Sequence, residues 1–211
     1  MTDRFNHACF ISYIHGEGEL GRGFVLQFVD ALQGELEQLV DLKARPIYRD
    51  NLIKPGAHWP QALSRALCAS VCMVLIYSPV YGKRSECVRE FEAMLRIEAK
   101  RRRVLAADAH TGFIIPVVMR GFDRLPPHIR GARQAVDFSH FTLADAPMSS
   151  NPRFVDEVRR IAERIQEQLD ALEPLEHQAC KDCDDFKLPE PHEVTLWQLA
   201  AGNWPPAFPG R

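Results

Sequence analysis

An α/β fold, doubly wound about a parallel sheet of about five strands with helices on both faces, is what the order of apolar segments predicts for residues 8–172. Two observations carry the prediction. Short β-rich runs alternate with segments of helical period along the chain, and such alternation calls for parallel strands joined by crossover helices. Two of the runs, Val71 to Tyr77 and Gly112 to Val118, are apolar almost throughout, as strands covered on both faces are.

The first element is the run Ala8-Cys9-Phe10-Ile11-Ser12-Tyr13-Ile14, which ends in a Gly/Glu-rich loop. Phe24 to Val40 then sets Val25, Phe28, Val29, Leu32, Leu36 and Leu39 at helical spacing. Arg45 to Tyr48 reads as a second, shorter strand, and Arg49 to His58 as a polar loop with Pro55-Gly56 as its turn signal. Trp59 to Ala69 returns to helical period before the Val71 strand, and the next helix runs from Ser85 to about Arg102. After the Gly112 strand come a short strand at Ala135 to Phe138 and an amphipathic helix from Pro152 to Leu172. We divide the chain into one domain, 1–172, and a Pro- and aromatic-rich extension, 173–211, expected to act as a docking segment with a short helix near Val194 to Ala200.

The chain of 211 residues carries a formal charge of -2, so no global field would gather nucleic acid or an anionic membrane; nucleic acid is expected as an indirect partner at most. No apolar run is long enough to span a bilayer and no secretory signal is read at Met1 to His7, which together favour the cytoplasm. Cys9, Cys68, Cys72 and Cys87 lie in apolar segments without disulfide-rich spacing, as suits a reducing compartment. Cys87 reads as a small buried residue rather than a nucleophile.

Two arrangements could form a nucleotide site. One is Gly16-Glu17-Gly18-Glu19-Leu20-Gly21, a literal G-x-G-x-x-G between strand and helix, with Asp50 as a ribose partner; this is a dinucleotide-binding, dehydrogenase-like reading. Two carboxylates would crowd the pyrophosphate there, and Asp50 falls 29 residues past Gly21 where about 20 is usual. The other arrangement is distributed over the loops that leave the carboxyl ends of the strands, where ligands sit in such sheets. Ser12 and Ser78 offer small hydrogen-bonding groups, Tyr13 and Tyr81 rings with hydroxyls, and Trp59 a flat face for a base.

The segments of this second arrangement, Phe10-Ile11-Ser12-Tyr13, Asp50 to Trp59, Ser78-Pro79-Val80-Tyr81 and Ser85-Glu86-Cys87-Val88-Arg89-Glu90, resemble in order and spacing the motifs of the TIR family. Ile115 to Val118, Leu125-Pro126 and Asp137-Phe138 resemble the closing strands of bacterial TIR domains, so the resemblance covers about 8–170. It implies a flavodoxin-like sheet. For an antiphage-defence type it further implies cleavage of NAD, bound as substrate with no separate cofactor or metal, by an enzyme switched on through TIR–TIR self-association and a separate sensor or partner protein.

In NAD-cleaving TIR enzymes the catalytic residue is the glutamate of the last motif, which Glu90 matches. Phe10, Ser12, Tyr13 and Asp50, with Trp59, Ser78, Tyr81 and Cys87, are the corresponding substrate-binding positions. A single carboxylate suits the chemistry. Nicotinamide leaves from a ribosyl cation, and its pyridinium becomes neutral as the bond breaks, so the leaving group needs no proton. The residue types alone leave Glu90 open to a plainer role at a helix N-terminus, Asp50 to that of a turn former, and Trp59 to that of core. Where the family has Ser, two residues and Cys with an aromatic before the Cys, here Ser85 stands two before Cys87 and Glu86 holds the aromatic position. The pocket wall beside Glu90 is therefore expected to differ, with activity arising on assembly. The alternative is a non-catalytic adaptor that uses the same surfaces for TIR–TIR contact.

Two further features invite a function. Lys100-Arg101-Arg102-Arg103 reads as a solvated helix end whose cations complement the carbonyl dipole. His177, Cys180, Cys183 and His192 are ligand types for zinc at a spacing unlike the common fingers, so a docking segment is the preferred reading. Trp197 and Trp204 among prolines suit a semi-rigid aromatic strap.

Overall fold

The structure, a computed structural model, describes residues 4–15, 18–49, 59–105, 112–131, 133–141 and 147–197. Four parallel strands, β1 (His7–Ser12), β2 (Ser70–Tyr77), β3 (Ile114–Val118) and β4 (Val136–Asp137), lie side by side in that order. All eight residues of β2 are buried, which is why its sequence carries no alternation: helices cover both of its faces. β3 tolerates Pro116 because β4 pairs only from Val117 onward, leaving one side of the strand at Pro116 without a ladder partner among the described residues.

The predicted strand at Arg45 to Tyr48 is reduced to a single parallel bridge, Phe10 to Tyr48, on the outer edge of β1. Pro46 brings no N–H, yet the segment still serves β1: Tyr48 N–H donates to the Cys9 carbonyl and Ile11 N–H to the Tyr48 carbonyl, both at 2.9 Å. The position is that of a second strand in a flavodoxin-like order, without its length.

Helices α1 (Glu19–Leu36) and α5 (Pro152–Leu172) pack on each other, as do α2 (Trp59–Cys68) and α3 (Ser85–Val104), with the short α4 (Pro127–Arg130) between β3 and β4. α5 begins where Asn151 accepts a hydrogen bond from Arg153 N–H, with Pro152 in the first helical position. It buries Phe154, Val158, Ile161, Ile165 and Leu169 at spacings of three and four. α3 runs opposite to the strands. Its first turns therefore lie at the carboxyl end of the sheet and its last turns at the amino end.

The segment after α5 turns back over the domain through a small helix, α6 (Glu176–Ala179). Cys180, Cys183, Leu188 and Trp197 join the same apolar core as the sheet. Cys68 at the end of α2 is disulfide-bonded to Cys183, 115 residues away. This corrects the expectation that Cys68 is a lone core thiol, and it also takes Cys183 out of the zinc reading that the docking segment was preferred to. No group of three or more His, Cys, Asp or Glu side chains among the described residues is placed to hold a metal. Cys9, Cys72, Cys87 and Cys180 are buried, and burial pushes the Cys72 thiol up to about 12.

The basic run at the end of α3 is exposed at Lys100, Arg102 and Arg103, as its solvated reading expects, and departs from it at one residue. Arg101 is fully buried and its guanidinium donates to the carbonyls of Val71, Cys68 and Ser70 at 2.6–2.8 Å, gathering the α2–β2 corner. Burial lowers it to about 10, which leaves it charged.

Candidate active site

At the carboxyl end of the sheet, α3 follows β2 after the segment 78–84, so its sixth residue, Glu90, falls within the first turn and a half beside the end of β1. The inward face of α3 carries Cys87, Glu90, Phe91 and Met94, and this places a carboxylate among apolar groups with 6% exposure. Ser12, the last residue of β1, donates to Glu90 Oε2 at 2.5 Å. The Tyr81 hydroxyl lies 2.5 Å from Ser12 Oγ and donates to the Cys87 carbonyl at 3.1 Å. Burial, then Cys87 and Glu90, push the Tyr81 phenol well above its usual range against the opposing effect of the Ser12 hydrogen bond. Tyr81 is thus a neutral hydroxyl at physiological pH, and the cluster joins β1, the 3-10 turn Tyr81–Lys83 and α3.

A cleft of about 330 Å³ opens at this end of the sheet, between the start of α1 and the residues that follow β2 and β3. Its wall includes Gly18, Gly21, Ser78, Val80, Met119 and Arg120. Two glycines of the G-x-G-x-x-G run and a serine of the distributed arrangement thus face one space, a volume within the lower range of small-molecule sites. Among the described residues, Glu90 is not on that wall.

Of the positions singled out in the sequence, Ser12, Tyr81, Cys87 and Glu90 come together directly, and Tyr13 joins them through its carbonyl, 3.7 Å from Cys87 Sγ. Phe10 does not. It is wholly buried and stacks on Tyr48 at 5.3 Å, within the apolar core. Tyr81 is likewise wholly enclosed, with its hydroxyl against Ser12 and the Cys87 carbonyl. Ser78 lines the cleft. Asp50 and the side chain of Trp59 lie outside the described residues, as do Gly16 and Glu17.

Two residues next to this cluster had no site role in the sequence reading. Gly82 follows Tyr81, and a Cβ built on it would stand 2.5 Å from the Trp197 Cβ. Trp197 belongs to the aromatic strap, expected to pack on this domain or on another protein, and it packs on this domain: its ring centroid is 5.3 Å from that of Tyr81 and 5.0 Å from that of Phe91. The Gly-Trp fit has no local signature, since the two residues are far apart along the chain.

Fold and site together define a doubly wound α/β domain whose polar, chemistry-bearing side chains gather beyond the carboxyl ends of parallel strands. The TIR domain family matches residues 9–148, and the chain belongs to that family, which includes both NAD-cleaving enzymes and adaptors. No curated protein matches the chain. Family membership replaces the dehydrogenase-like reading of the glycine run, whose described part, Gly18 to Gly21, caps and opens α1. Among the described residues no helix is long and apolar enough to cross a membrane.

Proposed function

We propose that the protein is a TIR enzyme that cleaves NAD at Glu90. The observation that carries this reading is the Glu90 carboxylate at the carboxyl end of the sheet, held by the Ser12 hydroxyl at 2.5 Å. In the proposed step the bond between ribose C1′ and the nicotinamide nitrogen breaks, and its electron pair neutralises the pyridinium. The ribosyl cation left behind is stabilised by the carboxylate and captured by water, giving ADP-ribose and a proton, or by a nucleophile of the same molecule, giving a cyclic product. Substrate enters by the strand-end loops, with Tyr13, Asp50, Trp59 and Ser78 as its contacts.

The reading includes control by self-association, as TIR domains associate through TIR–TIR contacts. With 6% exposure, Glu90 needs a rearrangement before it meets a ribose, and contact between subunits would supply it. We place the activity in the cytoplasm, in antiphage immunity, with a separate partner chain as sensor. The Cys68–Cys183 bridge counts against that compartment, where such thiols are kept reduced.

The same burial favours a second reading, a TIR adaptor in which Glu90 only ties α3 to β1. The test is NAD consumption by the purified protein, dilute and under conditions that promote assembly, with wild type beside Glu90→Ala and with products resolved by chromatography. Nicotinamide release that falls by at least about 100-fold in the variant supports the enzyme. Persistence of NAD in every condition, or equal turnover by both proteins, leaves the adaptor.

A further inference from the structure

The segment beyond the family match is held against the domain at several points near Glu90. Arg89, the residue before it, donates through Nε to the Pro189 carbonyl at 2.6 Å, and Arg96 pairs with Glu193 at 3.7 Å. Cys183 ties the same segment to α2. These anchors deliver Trp197 into a niche of four rings, Tyr77, Tyr81, Phe91 and His128, at centroid distances of 4.6–6.2 Å. Gly82 forms its floor. The indole lies so close to this backbone that a methyl group there would overlap it, with the Trp197 Cδ2 and Cε3 at 2.8 and 2.7 Å from the added carbon.

Trp197 therefore touches both halves of the support for the carboxylate. On one side is Tyr81, whose hydroxyl lies against Ser12 and the Cys87 carbonyl; on the other is Phe91, next to Glu90 on α3. We propose that Trp197 is a positioning residue for Glu90, acting through Tyr81, so that the working site of this TIR domain includes a side chain about fifty residues beyond the family match. The inference rests on the NAD-cleaving reading for its kinetic consequence. Its structural content, that the carboxyl group is set in place by the indole, stands apart from catalysis. A carboxylate displaced by about 1 Å forfeits on the order of 100-fold in rate.

The test compares Trp197→Ala, Trp197→Phe, Gly82→Ala and the double variant Gly82→Ala/Trp197→Ala in the full chain with the disulfide intact. Two readouts are taken: kcat and KM for NAD, and the 13C shift of the Glu90 carboxyl in protein labelled at glutamate, assigned with Glu90→Gln. Trp197→Ala and Gly82→Ala should each lower kcat about 10- to 100-fold and move the Glu90 signal, with KM changed by less than about threefold. Trp197→Phe should recover most of the rate. The double variant should be no worse than Trp197→Ala, since the added methyl then meets an empty niche.

Should Trp197→Ala fail to fold, Gly82→Ala and Trp197→Phe carry the comparison, because each keeps an aromatic strap. A role confined to stability would lower the melting temperature while the Glu90 signal of the folded protein stayed in place, and that overturns the proposal. A signal that moves in a wild-type background that never consumes NAD supports the positioning role and rejects the enzymatic reading. Normal turnover with an unmoved signal in every variant rejects the positioning role alone.

Discussion

Helix α3 carries two buried glutamates, eight residues apart and so about 12 Å along the axis, and they are held in different ways. Glu98, near the amino end of the sheet, is met by cations and an amide: Arg133 at 2.9 Å, Arg102 at 2.8 Å and the Phe113 N–H at 3.0 Å. Glu90, at the carboxyl end, accepts from the Ser12 hydroxyl, which in turn touches the Tyr81 phenol. A carboxylate matched by guanidinium groups is fixed as a structural charge, and removing it strands the cations. Removing a carboxylate that accepts from a hydroxyl leaves a neutral group behind at that contact, a smaller cost than a stranded guanidinium. The two ends of the sheet differ accordingly: the amino end, with Glu98 and Arg101, ties elements together through buried charges, and the carboxyl end is where the proposed chemistry would sit.

The widest separation of the two ends comes from matched alanine variants. Glu98→Ala leaves the Arg133 guanidinium, 7% exposed, in the interior, and should destabilise the protein by about 3–5 kcal/mol in urea titrations. Glu90→Ala should cost less stability while losing turnover; equal losses of stability would erase the distinction. A smaller effect is expected from pH. Burial lowers the His7 imidazole to about 4, so the folded protein keeps it neutral while the unfolded chain takes up a proton near 6.5. That contribution is whole above pH 6.5 and declines as pH falls to about 4, by up to about 3 kcal/mol. His7→Phe should flatten the acid limb of the stability curve over this window, and an unchanged slope would sink the assignment. The smallest effect is expected on the outer surface, where Arg159 bridges α5 to Glu35 of α1 at 3.2 Å. With half of the arginine side chain exposed, Arg159→Ala should change stability by no more than about 0.5–1 kcal/mol.

The carboxyl end was the more legible of the two from sequence. The continuous run of β2 and the start of α5 at Pro152 are local patterns, and local patterns are what a chain displays in order. The place of Glu90 in the first turns of α3 reads from local sequence in the same way. Its contact with Ser12 spans 78 residues and has no local sign. At the amino end one residue escapes the sequence for a related reason. Lys100 to Arg103 looks like one basic patch, yet Arg101 turns inward onto three carbonyls because the α2–β2 corner has acceptors to satisfy, a fact of tertiary structure. Phe10 shows that a motif position and a core position look alike in sequence: its ring is wholly buried on β1. The 45–48 segment lost its strand length where Pro46 limits pairing, and a bridge is what remains.

The bond between Cys68 and Cys183 makes a covalent ring of everything between them, from β2 through α5. A protease that cuts any single peptide bond in that ring leaves one molecule, which parts into two bands on a denaturing gel only after reduction. The strap that carries Trp197 would then survive a break in the very helix that leads to it, still fastened to α2 by sulfur rather than by its own backbone.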